Sequence, residues 1–215
     1  MKVKICGIRT PEEAEKVLKY SPDAIGIIGL SPHVAKNYVE PIVARKIVNS
    51  VLSRIETFLL LNDSDYKSIS SYYKEVKSSA IQLIGDIKPE DIIKLKNSLP
   101  GIKLIKVIHI TSEEAVDLAK TYEDCNAVNE LLLDSKIGNK LGGTGKVHNW
   151  DISRRIVESS KKPVWLAGGL NTGNLEEAIK TVRPYGVDVE TGVQNPDGSK
   201  DYEEIKKFIS IAHSY

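Results

Sequence analysis

Residues 2–30, KVKICGIRTPEEAEKVLKYSPDAIGIIGL, hold the unit from which the fold is read. The apolar-rich run Lys2 to Cys6 ends on Gly7. Thr10-Pro-Glu-Glu follows, with an N-cap residue, a proline at the first helical position and an acidic first turn. Ala14, Val17 and Leu18 recur at helical spacing, the helix stops near Ser21-Pro22, and Ala24 to Leu30 is a second apolar run. Strand, helix and strand in that order predict parallel strands joined by a right-handed crossover.

The unit recurs along the chain. A polar loop from Ser31 to Glu40 leads to Pro41, which opens a helix bearing Ile42, Ile47 and Val48, and Ile55 to Leu61 is the third strand. Asn62-Asp-Ser-Asp caps a helix with Ile69, Tyr72, Tyr73 and Val76 on one face, before a strand over Ala80 to Leu83. Lys88-Pro-Glu-Asp starts a fourth helix that ends by Pro100-Gly101, and Leu104 to Ile110 is the fifth strand. Thr111-Ser-Glu-Glu caps a helix over Ala115, Leu118 and Ala119, and Ala127 to Leu133 is the sixth strand. Then come a short helix over Asp151 to Val157, a strand over Pro163 to Ala167, a helix over Leu175 to Val182, a strand over Gly186 to Glu190 and a helix over Asp201 to Ala212. Eight strands alternating with eight helices, with no break in composition, predict one domain over residues 1–215, a (β/α)8 barrel with its active site at the strands' C-terminal ends. An open doubly wound sheet is the alternative, but the Gly-x-Gly-x-x-Gly of a dinucleotide fold is missing after the first strand.

With 30 basic and 29 acidic residues, the charge balance points to neither nucleic acid nor an anionic membrane, and a small molecule is the expected ligand. No charged-then-apolar leader opens the sequence, and no apolar run approaches the roughly 18 residues that suggest a membrane span. A cytoplasmic protein is expected. Cys6 and Cys125 allow at most one bridge and read as reduced thiols, Cys125 being structural. Few Met and Cys beside abundant Lys, Glu and Ile resemble thermophile composition.

In a barrel, residues scattered in sequence meet at the strand ends: Cys6, the loop from Ser31, Gln82 to Gly85, Asp134, Gly142 to Gly145, Gly168-Gly169, and Asp188 to Gly192. Any one Gly-Gly pair is equally well ordinary turn chemistry. Glycine groups after the last three strands, where barrels often hold a phosphate, predict a phosphorylated substrate. Cys6 is either a small buried apolar group or a pocket thiol whose thiolate a helix N-terminus or Arg9 would favour. Asp134, ending the apolar run Leu131 to Leu133, is either a loop carboxylate or the acid partner of that thiol; a thiolate base and a carboxylic acid across one cavity suit acid–base isomerisation of a sugar. His33, His109, His148 and His213 show no metal-ligand spacing.

Several of these motifs, in the same order from end to end, closely resemble the phosphoribosylanthranilate isomerase family of tryptophan biosynthesis. They are Lys4-Ile-Cys-Gly-Ile-Arg-Thr, Leu131-Leu-Leu-Asp with Gly142-Gly-Thr-Gly-Lys and Trp150, Leu166-Ala-Gly-Gly-Leu with Asn174, and Gly186-Val-Asp-Val with Gly192-Val. The resemblance implies a (β/α)8 barrel that performs an Amadori rearrangement of N-(5-phosphoribosyl)anthranilate without metal or cofactor; the alternatives are a non-catalytic phosphosugar-binding barrel and a related phosphosugar isomerase with a different aglycone. It also implies Asp134 as the general acid that opens the ribose ring and Cys6 as the general base at C2′. A raised pKa for Asp134 and a lowered one for Cys6 would serve those roles. Asp188 is implied as a substrate-positioning group. Gly143, Gly145, Gly168, Gly169 and Gly192, with Thr144 and Thr191, are implied as the phosphate cradle. A homodimer or a second tryptophan-pathway enzyme is the partner left open.

Four motifs depart from the family pattern. An arginine in the loop after the second strand normally meets the anthranilate carboxylate; Ala35-Lys-Asn-Tyr aligns there and puts Asn37 in its place, with Lys36 or His33 as substitutes lacking arginine's bidentate fork. Gln-Leu-His-Gly becomes Gln82-Leu-Ile-Gly, with Gln82 kept as a substrate-binding candidate, and Phe-Asp-Trp becomes His148-Asn-Trp. Ser-Ser-Gly becomes Glu190-Thr-Gly; Glu190 would repel a phosphate, so it is expected to face away while Thr191 and Gly192 supply the contacts.

Overall fold

The structure, a computed structural model, describes residues 1–30, 37–137, 140–141 and 148–215. Its elements alternate along the chain. They are β1 (Lys2–Ile5), α1 (Pro11–Leu18), β2 (Ala24–Ile28), α2 (Pro41–Ser50), β3 (Glu56–Leu61), α3 (Tyr66–Val76), β4 (Ala80–Leu83), α4 (Pro89–Ser98) and β5 (Lys103–Ile110). There follow α5 (Glu114–Glu123), β6 (Glu130–Ile137), β7 (Lys140–Leu141), α6 (Trp150–Ser159), β8 (Val164–Leu166), α7 (Leu175–Val182), β9 (Gly186–Val189) and α8 (Tyr202–His213). The parallel strands run β1 to β6, then β8 and β9, which pairs with β1; the β5–β6 pairing completes the ring. This is the (β/α)8 barrel expected from the repeated unit.

Local chemistry sets the ends of several elements. Thr10 Oγ1 accepts from the Glu13 amide at 3.1 Å, and Pro11 opens α1, as the sequence predicts. Asp65, the last residue of the predicted cap, accepts from the Lys67 and Ser68 amides at the start of α3. Other expectations are corrected. Helix α5 begins at Glu114 with no side-chain cap, so Thr111-Ser-Glu-Glu supplies only its acidic first turn. Ile42 and Leu118 lie exposed on α2 and α5, whose buried stripes run instead through Ala44, Ile47 and Val48 and through Ala115, Ala119 and Tyr122. The sixth strand starts later than predicted and does not stop at Asp134; it continues to Ile137 and pairs antiparallel with β7. Polar Ser135 and Lys136 read as loop because a strand edge and a loop share that composition.

Two cores follow from the period-two alternation of the strands. Val3, Ile5, Ile25, Ile27, Leu131, Leu133, Val187 and Val189 pack outward under the helices. Cys6, Ala24, Phe58, Leu60, Ala80, Ile105, Val107, Leu132 and Trp165 fill the lumen. At the N-terminal end Lys103 Nζ pairs with Glu56 at 2.9 Å and Glu130 at 3.3 Å, and the Trp165 indole donates to Glu130 at 2.7 Å. The edge-on Phe58–Trp165 pair, 5.7 Å between ring centroids, covers this polar floor. Chemistry is thereby confined to the opposite, C-terminal end of the lumen.

Candidate active site

Alternation puts Lys4 and Cys6 of the first strand, Asp188 and Glu190 of the last, and Asp134 of β6 on the lumen side. Cys6 is buried just past β1, where its amide donates to the Val189 carbonyl at 2.8 Å. Beneath it, Lys4 Nζ, fully buried, donates to Asp188 Oδ2 at 2.7 Å in a buried ion pair. Gly26 on β2 leaves room for both: a Cβ there would lie 2.7 Å from Cys6 Sγ and 3.1 Å from Lys4 Nζ. Buried Lys200, in the segment before α8, donates from Nζ to the Cys6 carbonyl. Asp134 sits beside His109 of β5 in register, and its Oδ1 accepts from the Ser135 amide at 2.7 Å.

Burial and then the neighbouring Asp188 push the Asp134 carboxyl up from 3.8 to about 7; Glu190 adds to the rise, and the Ser135 amide and Lys4 oppose it. At neutral pH a large share of Asp134 therefore keeps its proton, as a general acid must. Burial likewise pushes the Cys6 thiol up to about 12, with Lys4 and Lys200 pulling it down and Asp188 and Glu190 raising it. The expectation of a lowered thiol pKa is thus corrected: loss of solvation and two carboxylates outweigh the ammonium groups. Arg9 is also not the cation that acts on Cys6; it pairs with Glu13 at 3.6 Å on α1, and Lys4 and Lys200 take that place.

Three buried oxygens on this end of the barrel have no hydrogen-bond partner among the described residues: Gln82 Oε1, Asn37 Oδ1 and the second oxygen of Asp188, Oδ1. Buried acceptors left open are costly, and a ligand's hydroxyl or amine protons would satisfy them. Asn37 Nδ2 is already engaged, donating to Glu190 Oε1 at 2.6 Å. Glu190 does not face away as expected. It follows Gly186 and Asp188 on the lumen side, its carboxylate lies against Gly7 and Asn37, and its charge reaches both Cys6 and Asp134.

Gly168 and Gly169, after β8, have φ of 84° and 71°, a region favourable to glycine. The Asn174 side chain donates to the Gly169 carbonyl at 3.0 Å and fixes the turn ahead of α7. After β9, a Cβ on Gly192 would lie 2.0 Å from the Leu170 carbonyl oxygen, so the two loops meet backbone to backbone and Gly192 has no room for a side chain. Thr191 is exposed beside it. The remaining candidates Lys36, Gly143, Thr144 and Gly145, with His33, lie outside the described residues.

Lys4, Gly26, Ser135, Ser153 and Lys200 are not among the residues singled out from sequence. Lys4 had a usable signal, since it shares the face of Cys6 two residues away. Lys200, 194 residues from Cys6, has no local pattern that announces it. The arrangement brings together a carboxyl that holds its proton near neutrality, a thiol beside an ammonium, open acceptors and tight glycine turns. That set can move protons on a polyhydroxylated, anionic small molecule. Among the described residues, no helix is long and apolar enough to cross a membrane, and no group of three or more His, Cys, Asp or Glu is placed to hold a metal.

A family profile described as N-(5'-phosphoribosyl)anthranilate (PRA) isomerase matches residues 3–211. N-(5'-phosphoribosyl)anthranilate isomerase 2 of Methanosarcina mazei is 35% identical over 214 residues, covering 99% of this chain and 94% of its own. The corresponding enzyme of Clostridium acetobutylicum is 35% identical over 209 residues, covering 97% and 96%. Among solved structures, phosphoribosyl anthranilate isomerase from Thermotoga maritima superposes with a TM-score of 0.86 at 30% identity, over the whole of both chains. Another isomerase structure, in complex with reduced 1-(o-carboxyphenylamino)-1-deoxyribulose 5-phosphate, superposes at 0.83 with 28% identity, also over both whole chains.

Proposed function

The chain belongs to the N-(5'-phosphoribosyl)anthranilate isomerase family, and from that premise we propose how its own residues carry the reaction. The activity is the Amadori rearrangement of N-(5-phosphoribosyl)anthranilate to 1-(2-carboxyphenylamino)-1-deoxyribulose 5-phosphate in tryptophan biosynthesis. Asp134 donates its proton to the ribose ring oxygen, the C1′–O bond breaks, and the nitrogen lone pair forms the Schiff base. Cys6, as thiolate, takes the C2′ proton, and the C–H electrons move to give the enolamine. Tautomerisation then places a proton on C1′ and leaves the ketone at C2′. Each general acid or base contribution is worth on the order of 10²–10⁴-fold.

The observation that carries this assignment is that strand alternation turns Cys6, the buried Lys4–Asp188 pair and Asp134 toward the same lumen at its C-terminal end. Cys6 must shed its proton before it can serve as base, and Lys4 is the cation that pairs with the thiolate then formed. Gln82 and Asp188 offer their open oxygens to the ribose hydroxyls. Asn37, its amide given to Glu190, offers an acceptor and not a cation; it suits a hydroxyl or N–H of the substrate and not the anthranilate carboxylate. The turns at Gly168-Gly169 and Thr191-Gly192 form the described part of the phosphate cradle, to which Gly143, Thr144 and Gly145 are assigned on sequence alone.

The chain is proposed to work as one barrel domain over residues 1–215, in the cytoplasm, with a homodimer or a tryptophan-pathway enzyme as a candidate assembly; light scattering of the purified protein reads the dimer directly. Fluorescence turnover of freshly made phosphoribosylanthranilate tests the chemistry. The Cys6→Ser, Asp134→Asn double variant is expected to be silent under conditions where the unmodified enzyme turns over, and equal activity in the two would sink the assignment.

A further inference from the structure

Behind Asp134 lies a buried polar chain that proton transfer itself does not use. Ser135, 2% exposed, presents its amide to Asp134 Oδ1 at 2.7 Å and its hydroxyl to His148 Nδ1 at 3.0 Å. The other ring nitrogen, His148 Nε2, is 2.6 Å from Oγ of Ser153, a fully buried residue of α6. Gly168 closes this unit from the β8 side, since a Cβ there would lie 2.3 Å from Ser135 Oγ and 2.9 Å from Asp134 Oδ1.

A neutral imidazole has one donor and one acceptor, and each serine hydroxyl can act as either, so both bonds are satisfied in either tautomer. Burial lowers His148 to about 4, which keeps it neutral across the working range. The chain ties the extension of β6 to α6, and it fixes the residue that, among those described, gives its amide to the Asp134 carboxyl.

We propose that His148, bridging Ser135 and Ser153, is a positioning residue that aims the Ser135 amide at Asp134 and so fixes the orientation and proton affinity of the general acid. The proposal rests on the reading of Asp134 as that acid. An N–H bonded to a carboxylate stabilises its charged form, so the bridge works against the forces that raise Asp134. Those forces come from burial and from Asp188 and Glu190 of the last strand and its following residue, with Lys4 of β1 on the opposing side; among the described residues, His109 of β5 and Cys6 are the other titratable groups at this level.

The test compares His148→Phe, His148→Asn and Ser153→Ala with the unmodified enzyme, using kcat, KM and the pH profile of kcat. His148→Phe keeps a ring and loses both bonds. It is expected to lower kcat about tenfold with KM little changed, because misplacement of a reacting group falls on the chemical step. Activity requires protonated Asp134, so loss of the amide bond moves the alkaline limb of the profile upward, by about half a pH unit. His148→Asn restores a polar atom facing Ser135 and is expected to recover kcat to within about threefold, along with the limb. Should His148→Phe fail to fold, Ser153→Ala alone is expected to cost about threefold in kcat. Unchanged kcat and limb in His148→Phe, no recovery in His148→Asn, or an unchanged Ser153→Ala would each overturn the proposal. Asp134→Asn separates the two levels: if it keeps full activity, the acid assignment fails, whereas a strongly slowed Asp134→Asn beside an unaltered His148→Phe defeats the bridge alone.

Discussion

Replacing Asp134 with Asn should make the protein more stable above neutrality while slowing its chemistry by about 10²–10⁴-fold. Burial and the Asp188 charge raise Asp134 from 3.8 to about 7, so between those pH values the folded chain binds a proton that the unfolded chain does not. Stability from this group is therefore full at and below about pH 4, is lost as pH rises toward 7, and stays lost above it. At about 1.4 kcal/mol per pH unit, the full loss is at most ~4 kcal/mol, less whatever relaxation and water entry return. Asn carries no charge, and its Oδ1 still accepts from the Ser135 amide. Urea denaturation of both proteins at a series of pH values from 4.5 to 8.5, on the order of half a pH unit apart, gives the difference directly. His148, lowered to about 4, contributes a slope of the opposite sign between there and 6.5, but it is present in both proteins and cancels. The Cys6 thiol stays protonated in the folded state over this range and ionises in the unfolded chain only toward about pH 8.5, and because both proteins carry it, it too cancels. The difference should grow in favour of Asp134→Asn up to about pH 7 and then level off. A difference independent of pH, or one favouring the wild type at pH 8, would show that Asp134 is not held protonated by the fold.

Three further outcomes follow from the same geometry. With the Cys6 thiol near 12, only about 10⁻⁴ of it is ionised at pH 8, so iodoacetamide followed by peptide mapping should find Cys6 modified far more slowly than a free cysteine; equal rates would contradict the burial argument. Gly168→Ala would place a methyl 2.3 Å from Ser135 Oγ and 2.5 Å from its amide, at a positive φ, and should lower kcat by about 10²-fold or more in protein that still folds; near-normal turnover would mean the Asp134–Ser135 unit yields more easily than its packing implies. Glu190→Gln removes one of the charges that raise Asp134, so the alkaline limb of kcat should move to lower pH; a shift upward would contradict a lumen-facing Glu190.

The barrel was legible because each unit carries its own punctuation. Thr10-Pro-Glu-Glu and Lys88-Pro-Glu-Asp open helices where expected, and the apolar runs between them become the parallel strands. The extension of β6 and its short partner β7 were not legible, since their pairing depends on the chain folding back, which composition does not encode. In the site, Cys6 and Asp134 stood out by chemical type at strand ends. The lumen-facing Glu190 could have been read from its spacing of two from Asp188; the charge argument against it overrode the alternation, although its carboxylate finds the Asn37 amide as partner. The state of Cys6 was beyond reach from sequence. It depends on how Lys4, Lys200, Asp188 and Glu190 converge from opposite ends of the chain, and on the water excluded around them.

The division of labour between Asp134 and Cys6 is tested most directly by the kinetic isotope effect on kcat with substrate deuterated at C2′, measured in Cys6→Ser and Asp134→Asn. A weak serine base makes C2′–H cleavage slow, so Cys6→Ser should show a large primary effect. Loss of the acid makes ring opening slow, so in Asp134→Asn the effect should vanish. The reverse pattern, or a large effect in both, would contradict the assignment of acid and base.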